Sequence, residues 1–196
     1  STVVLQNTDE LIQRWQNQLQ QRNQVNISVE MMKITLNIIG ETLFSTRIDY
    51  GSDLWEKTTL ALEWISDRAL RNPFVWPASW PTKKNRAFHK AVKDLDQVIY
   101  QIIDAKKRNN SNPNDLLTRF MHPEEANLQA LNEKELRDEV MTIFIAGHET
   151  SANVLSWAIY LLTKHPEIQD KVLTEVNQLG SRSLTFEDLH QLVYTS

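Results

Sequence analysis

Apolar residues recur at helical spacing along most of the chain. Intervals of three and four residues dominate, and such intervals place apolar side chains on one face of a helix. The pattern predicts helices over residues 8–22, 31–44, 53–71, 82–108, 115–121, 132–165, 166–180 and 184–192. We find no repeats and no convincing sheet in the sequence, so the predicted fold class is all-α.

Residues with known preferences for helix ends support these limits. Asn132 and Glu135 stand three residues apart, as in a capping box, and predict the start of the longest helix. Pro166 suits the first turn of the next helix, and Gly180 suits its end. The segment "NPFVWPASWP" carries three prolines and predicts an irregular loop. The other predicted N-caps are Thr8 or Asp9, Asn26 or Ser28, and Thr185 with Asp188 three residues on.

Composition limits the classes of protein to consider. The chain has 196 residues, of which 41% are hydrophobic and 23% charged, so we expect residues 1–196 to form part of one globular domain. The formal net charge of -4 leaves no basic excess to neutralise phosphates, which argues against nucleic acid as a partner. Because the sequence has no cysteine, it cannot itself supply disulfides, thiolate nucleophiles or cysteine metal ligands.

The sequence carries no visible targeting signal. Neither a signal peptide nor an apolar run of the ~20 residues needed to span a bilayer is present. The chain opens at Ser1 without a methionine and closes on "LVYTS" without a terminating element, so we expect both ends to be truncated. A membrane anchor is therefore not assessable, and the expected location is cytoplasmic or cytoplasm-facing.

The longest predicted helix, which reads as buried nearly all round, carries a glycine and four polar residues in succession. Gly147 costs roughly 1 kcal/mol relative to alanine in a helix interior, so a packing or functional gain should offset it. Ala146, Gly147 and Thr150 fall on roughly one side, where small residues leave a groove for something broad and flat. The structural alternative is a close helix crossing at Gly147, with Thr150 bonded back to Ala146 and Glu149 in a salt bridge.

A zinc site is a further interpretation of this stretch. His148 and Glu149 begin the HExxH pattern of a metalloprotease, but Ala152 occupies the position of the second histidine, which excludes that reading. We expect His148 to lie on the helix surface, facing away from the groove. We interpret all five histidines as structural or solvated residues.

The stretch "AGHETSANVLSWAIYLLTKHPEIQDKVLTEV" resembles the long central helix and its successor in the cytochrome P-450 family of haem-thiolate monooxygenases. In that family an Ala/Gly-Gly-x-Glu/Asp-Thr-Thr/Ser run crosses the distal face of the haem, and residues 146–151 match it position for position. The neighbourhood of Trp157, Pro166 and Gln169 also follows the family pattern. The preceding helices resemble the family's helices D to H, so the resemblance covers essentially the whole chain.

The resemblance implies helices D to J of the α+β family fold, without its sheet and its haem-thiolate loop. It covers only part of the family domain. A Trp-x-x-x-Arg string at Trp64 and Arg68 is similar to one that the family uses at a haem propionate. Here it lies in a different helix, and we interpret it as coincidence.

The implied activity is insertion of one oxygen atom of O₂ into a small organic, apolar substrate. The implied cofactor is haem b, with its axial cysteine outside this chain and electrons from a reductase or ferredoxin. Ala146 and Gly147 would make room for haem and O₂. Thr150 would hydrogen-bond the activated oxygen, and Glu149 would relay protons from solvent. Ile143, one turn before Ala146, would line the substrate pocket together with Ala146 and Thr150. A haem-free helical interaction or structural module is the alternative.

Overall fold

The computed structural model is helical in nearly all of the chain that it describes. It describes residues 2–22, 24–47, 54–71, 77–108, 115–123, 129–180, 185 and 187–195. None of these residues forms a strand, so the all-α prediction is confirmed. In the same residues no helix is long and apolar enough to cross a membrane.

Seven α-helices account for most of the described residues. They are α1 Thr2–Arg22, α2 Ile27–Leu43, α3 Leu54–Ser66, α4 Lys83–Arg108, α5 Leu116–Met121, α6 Glu133–Lys164 and α7 Pro166–Gln178. A π-helical turn, Asp67–Arg71, continues α3, and a 3-10 turn, Glu187–Gln191, follows α7. The predicted helix limits therefore agree with the observed ones to within a few residues, except at α1 and α2. Asp53, the predicted start of the third helix, lies outside the described residues.

Predicted capping residues fix the ends of the longer helices. The Asn132 side chain accepts a hydrogen bond from the Glu135 backbone N–H at 3.0 Å. The Glu135 carboxylate in turn accepts one from the Asn132 N–H at 2.9 Å, which completes the capping box. Pro166 opens α7, and Gly180 follows its end with φ of 75°, a left-handed conformation that glycine adopts without strain. The boundary signals of α6 and α7 are confirmed.

The prediction for the start of α1 is wrong. The helix begins at Thr2, six residues before Thr8 and seven before Asp9. The Thr8 hydroxyl donates instead to the Val4 carbonyl at 2.8 Å, so this residue lies inside the helix and bonds back to the preceding turn. Five consecutive polar residues, 6–10, separate Val3, Val4 and Leu5 from the apolar repeat that begins at Leu11. The second helix also begins earlier than its apolar pattern, at Ile27, and Asn26 caps it through a 3.3 Å bond from the Val29 N–H.

The chain divides into two compact units. The first comprises Ser1–Ile38 and His148–Ser196, and the second comprises Ile39–Gly147. The buried apolar residues of the first unit are Leu11, Met31, Met32, Ile34, Leu36, Ala152 and Leu179. Those of the second are Phe44, Ala61, Ala91, Leu95, Ile99, Ile102, Ile103, Leu117, Leu136, Val140 and Phe144. Five of the latter lie on α4, at intervals of three and four residues with one adjacent pair, so α4 supplies a single apolar stripe to that core.

Trp64 joins α3 to α4 within the second unit. Its ring stacks on Phe88 with a centroid separation of 3.8 Å, and its Nε1 donates to Asn85 Oδ1 at 3.0 Å. The Arg68 guanidinium lies 4.6 Å from the centroid of the same ring. These packing and cation–π contacts account for both members of the Trp-x-x-x-Arg string without a haem propionate.

Asn85 holds the end of the proline-rich segment against α4. Its Nδ2 donates to the carbonyls of Pro77 and Trp80, both at 2.9 Å, while its Oδ1 accepts from Trp64. The segment is irregular over residues 77–81, as predicted, and residues 72–76 lie outside the described part of the chain. A single buried amide thus satisfies three groups around this loop.

Lys106 and Asp115 form a buried ion pair at the other end of α4. Lys106 Nζ lies 2.6 Å from Asp115 Oδ2, and the two side chains are 2% and 0% exposed. Asp115 Oδ1 also accepts from the Thr118 N–H and hydroxyl at 2.9 and 2.7 Å, so Asp115 caps α5. Burial raises the pKa of Asp115, but hydrogen bonds from Lys106, Ser45 and Thr118 outweigh it and leave the pKa below its ordinary value.

Replacing Lys106 with methionine should lower the free energy of unfolding by about 3–5 kcal/mol, because the Asp115 carboxylate would stay buried without its counter-charge. Lys107→Met is the matched control. Lys107 is exposed and lies 3.6 Å from the Glu133 carboxylate, and such surface pairs are worth only about 0–1 kcal/mol. Urea unfolding of the intact protein measures both variants. Equal losses in the two would contradict the prediction.

A second buried carboxylate, Glu30, lies in the first unit between two cations. Its oxygens are 3.2 Å from Arg14 Nε and 2.9 Å from Lys33 Nζ, and its side chain is 3% exposed. Burial raises the pKa of Glu30, but the hydrogen bonds and charges of Lys33 and Arg14 outweigh it, so the net pKa is lowered from 4.5. Folding therefore favours the ionised form of this group.

The sign of the resulting pH dependence follows from that lowered pKa. The stabilisation from Glu30 is fully present above its unfolded-state pKa of 4.5 and is lost as pH falls through the lower folded-state pKa. Glu30→Gln should remove this part of the acid destabilisation, so the free energy of unfolding should fall less steeply below the unfolded-state value than in the wild type. Parallel curves of stability against pH for the two proteins would show that Glu30 is not a contributor.

Candidate functional site

The five predicted site residues lie together in the middle of α6. Ala146 and Thr150 are exposed, and Ile143, Gly147 and Glu149 are half-buried. A spacing of four residues places Ala146 and Thr150 one above the other on the same side of the helix. This side, which we call the open face, carries only a methyl group and a short hydroxyl side chain at these two positions.

A buried stripe runs along the side of α6 opposite the open face. Its members, spaced four residues apart, are Val140, Phe144, His148 and Ala152, each no more than 2% exposed. The expectation that His148 lies on the helix surface is therefore wrong, although its direction away from the groove agrees with the prediction. His148 falls about 200° round the helix from Ala146, which places its ring on the packed side.

The expectation that the helix is buried nearly all round is wrong for its second half. Val154 and Trp157 are 68% and 64% exposed, and Leu155, Tyr160 and Leu161 are exposed as well. The described residues leave this side of α6 uncovered. Apolar composition alone predicted burial here, whereas burial also needs a covering element.

Gly147 makes a close contact with α2 inside the second unit. A Cβ built on Gly147 would lie 2.8 Å from Ile39 Cδ1, closer than carbon atoms pack. The absence of a side chain therefore makes room for Ile39, as the close-crossing alternative requires. Space for a cofactor at Gly147 stays a prediction.

Thr35 of α2 makes a hydrogen bond to the backbone of α6 inside the first unit. Its hydroxyl donates to the His148 carbonyl at 3.1 Å, and the residue is 5% exposed. Sequence reasoning missed this contact. The available signal was a hydroxyl in the middle of the apolar run "MMKITLNII", since a buried polar side chain needs a partner.

Glu149 carries a half-buried carboxylate beside the open face. The structural alternative placed it in a salt bridge, but among the described residues it has no ion-pair partner. Its oxygens are thus not committed to a charged side chain in this part of the protein. A carboxylate next to an exposed hydroxyl is an arrangement that can accept and donate protons.

A family model for Cytochrome P450 matches residues 1–196. The chain belongs to the cytochrome P450 family. The P450 match therefore covers residues 1–196 and not the 146–151 motif alone.

Named relatives agree with the P450 assignment. The chain is 33% identical over 178 residues to cyclooctat-9-en-7-ol 5-monooxygenase of Streptomyces melanosporofaciens, which covers 87% of this chain and 38% of that protein. It is 32% identical over 164 residues to a cytokinin hydroxylase of Arabidopsis thaliana, covering 80% of this chain and 32% of the other. It is 28% identical over 196 residues to a bifunctional cytochrome P450/NADPH–P450 reductase of Bacillus cereus, covering 94% and 18%. The chain thus spans less than two fifths of each of these P450 relatives.

The residues of α6 fit one side of the haem that P450 proteins carry. Small side chains on the open face let a broad, flat ring approach the helix backbone. The sequence contains no cysteine that could bind the haem iron. The described residues also contain no group of three His, Cys, Asp or Glu that could hold a metal. The thiolate that holds the haem iron in P450 proteins therefore cannot come from residues 1–196.

The contact between Gly147 and Ile39 predicts a dependence of one substitution on the other. Gly147→Ala gains about 1 kcal/mol of helix preference but overpacks against Ile39 Cδ1, at a typical cost of about 1–3 kcal/mol, so the net change should be destabilising. In an Ile39→Val background Cδ1 is gone, and the same Gly147→Ala change should stabilise. Urea unfolding of the four proteins gives the coupling. A stabilising Gly147→Ala in both backgrounds would contradict the close contact.

Proposed function

We propose that residues 1–196 are part of one catalytic domain of a haem-dependent monooxygenase. The observation that carries the proposal is the open face of α6 within a chain of the P450 family: an exposed Thr150, a small Ala146 and the adjoining half-buried carboxylate of Glu149. The names of two relatives, a monooxygenase and a hydroxylase, support the reaction class. No finding favours the haem-free module that the sequence left open.

Haem b, when bound, supplies the oxidation chemistry, in which one oxygen atom of O₂ enters the substrate and the other is reduced to water. The chain's own residues provide space and protons. Ala146 leaves the ring and O₂ access to the helix, and Gly147 keeps the helix free of a side chain at the adjoining position. The cysteine that would hold the haem is not among residues 1–196.

Protons reach the site through Thr150 and Glu149. The Thr150 hydroxyl holds a proton on Oγ1 toward the oxygen that is being reduced, or toward a water beside it. Glu149, half-buried at the edge of the open face, takes up protons from solvent through its carboxylate and passes them on. The two side chains are consecutive, so both roles depend on the direction of the same turn of α6.

The substrate is a small organic, apolar molecule that contacts Ile143, Ala146 and Thr150. Ile143 precedes Ala146 by three residues and is half-buried. The relative named for cyclooctat-9-en-7-ol makes that compound the first to test.

The electron donor is a separate or fused reductase, or a ferredoxin. The relative that combines a P450 with its reductase in one chain supports the reductase. The protein acts in the cytoplasm or on a cytoplasm-facing surface, and nucleic acid is not a partner.

Thr150→Val in the full-length protein should divert electrons from product to hydrogen peroxide. Valine keeps the volume and branching of threonine but cannot position a proton, and losing one such group typically costs ~10²–10⁴-fold in the step it serves. Haem content and substrate affinity should change little. The measurement is product and hydrogen peroxide formed per electron donor oxidised, with cyclooctat-9-en-7-ol as the first of a series of small apolar substrates.

Thr174→Val is the matched control for this experiment. Thr174 lies on α7, is exposed, and donates its hydroxyl to the Asp170 carbonyl at 2.7 Å. Glu149→Gln should slow proton delivery, with a smaller effect where water reaches the site by another path. If Thr150→Val lowers only the melting temperature, as Thr174→Val can, Thr150 is a packing residue and the proposal fails.

A further inference from the structure

The Thr35 hydroxyl has a choice of acceptors, and one of them is on another helix. Its Oγ1 lies 2.9 Å from the Met31 carbonyl and 3.2 Å from that of Met32, both within α2. It also lies 3.1 Å from the His148 carbonyl of α6, which is 113 positions away in sequence. A hydroxyl has one proton to donate, so it is shared among these acceptors.

Three other threonines of the long helices bond differently. The hydroxyls of Thr8, Thr142 and Thr174 donate to carbonyls four residues earlier in their own helices, at 2.7–2.8 Å. Those residues are not buried, whereas Thr35 is 5% exposed. The contact to His148 is therefore not the ordinary back-bond of a helical threonine.

The hydrogen bond from Thr35 matters because its acceptor, the His148 carbonyl, lies directly before Glu149 in the backbone. The His148 carbonyl and the Glu149 N–H belong to one peptide unit, which is planar and rigid. A donor from α2 on that carbonyl fixes the rotation of the unit about the helix, and the Cα of Glu149 follows directly. Side chains that enter the hydrogen-bonding ladder of a helix are a known cause of local bending.

We propose that Thr35 is a positioning residue, which orients the turn carrying Glu149 and Thr150 by holding the His148 carbonyl. This inference rests on the proposed function. Thr35 touches neither substrate nor cofactor and acts through the backbone of α6. Its loss should therefore lower the precision of proton delivery while leaving the proton-carrying groups themselves in place.

The test compares Thr35→Val, which keeps the shape and removes the hydroxyl, with Thr35→Ser, which keeps the hydroxyl and removes the methyl. Amide hydrogen exchange is measured by mass spectrometry on the full-length, haem-loaded protein. Thr35→Val should raise exchange of the 149–152 amides by about 2- to 10-fold, the range that one neutral hydrogen bond corresponds to. Thr35→Ser should restore the wild-type rate, and Thr174→Val should leave this segment unchanged.

The second readout is hydrogen peroxide released per electron donor oxidised. It should rise in Thr35→Val and return in Thr35→Ser. Unchanged exchange at 149–152, with only a lower melting temperature, would overturn the inference. The inference would also be overturned if Thr35→Val exchanges faster but gives a normal peroxide yield, while Thr150→Val raises that yield. If neither Thr35→Val nor Thr150→Val changes the peroxide yield, the proposed role of Thr150 fails. Faster exchange in Thr35→Val would still support the constraint of Thr35 on the backbone of α6.

Discussion

The buried stripe of α6 is the constraint from which the geometry of the candidate site follows. A helix can rotate about its own axis, and the burial of four side chains spaced four residues apart fixes that rotation. With Phe144 and His148 on the packed side, Ala146 and Thr150 have to point to the opposite side of the helix. The packing of Phe144 and His148, each two residues from Ala146 or Thr150, therefore sets the direction in which the motif points.

Helix positions were largely predictable because local signals determine them. The capping box at Asn132 and Glu135, the proline that opens α7 and the glycine beyond its end each satisfy backbone groups within a few residues. Such groups must be satisfied whatever the tertiary structure, so the sequence pattern near them is reliable. The early start of α1 was not predictable in this way, because the polar residues 6–10 interrupt the apolar spacing before Leu11.

The properties that sequence could not predict all depend on a second segment of chain. His148 reads as a surface residue until the stripe is known to face inward. Gly147 reads equally as a gap for a cofactor or as a gap for a side chain, and only the position of Ile39 shows which contact exists in the second unit. Thr35 carries no motif at all, and its significance comes from a carbonyl far away in sequence. The site residues themselves came from a family resemblance, which records such distant contacts indirectly.

The amide of Asn85 makes one part of the fold depend on the difference between an NH₂ group and an oxygen atom. Its nitrogen serves two carbonyls and its oxygen serves an indole N–H, so its orientation is fixed by all three partners. Aspartate has nearly the same shape, but it would place a carboxylate oxygen against the carbonyl oxygens of Pro77 and Trp80. Attraction would become repulsion at both contacts, and the end of the proline-rich segment would lose its attachment to α4. A substitution that conserves shape almost completely would thus be among the disruptive ones at this loop, because the site selects for a proton donor and not for volume.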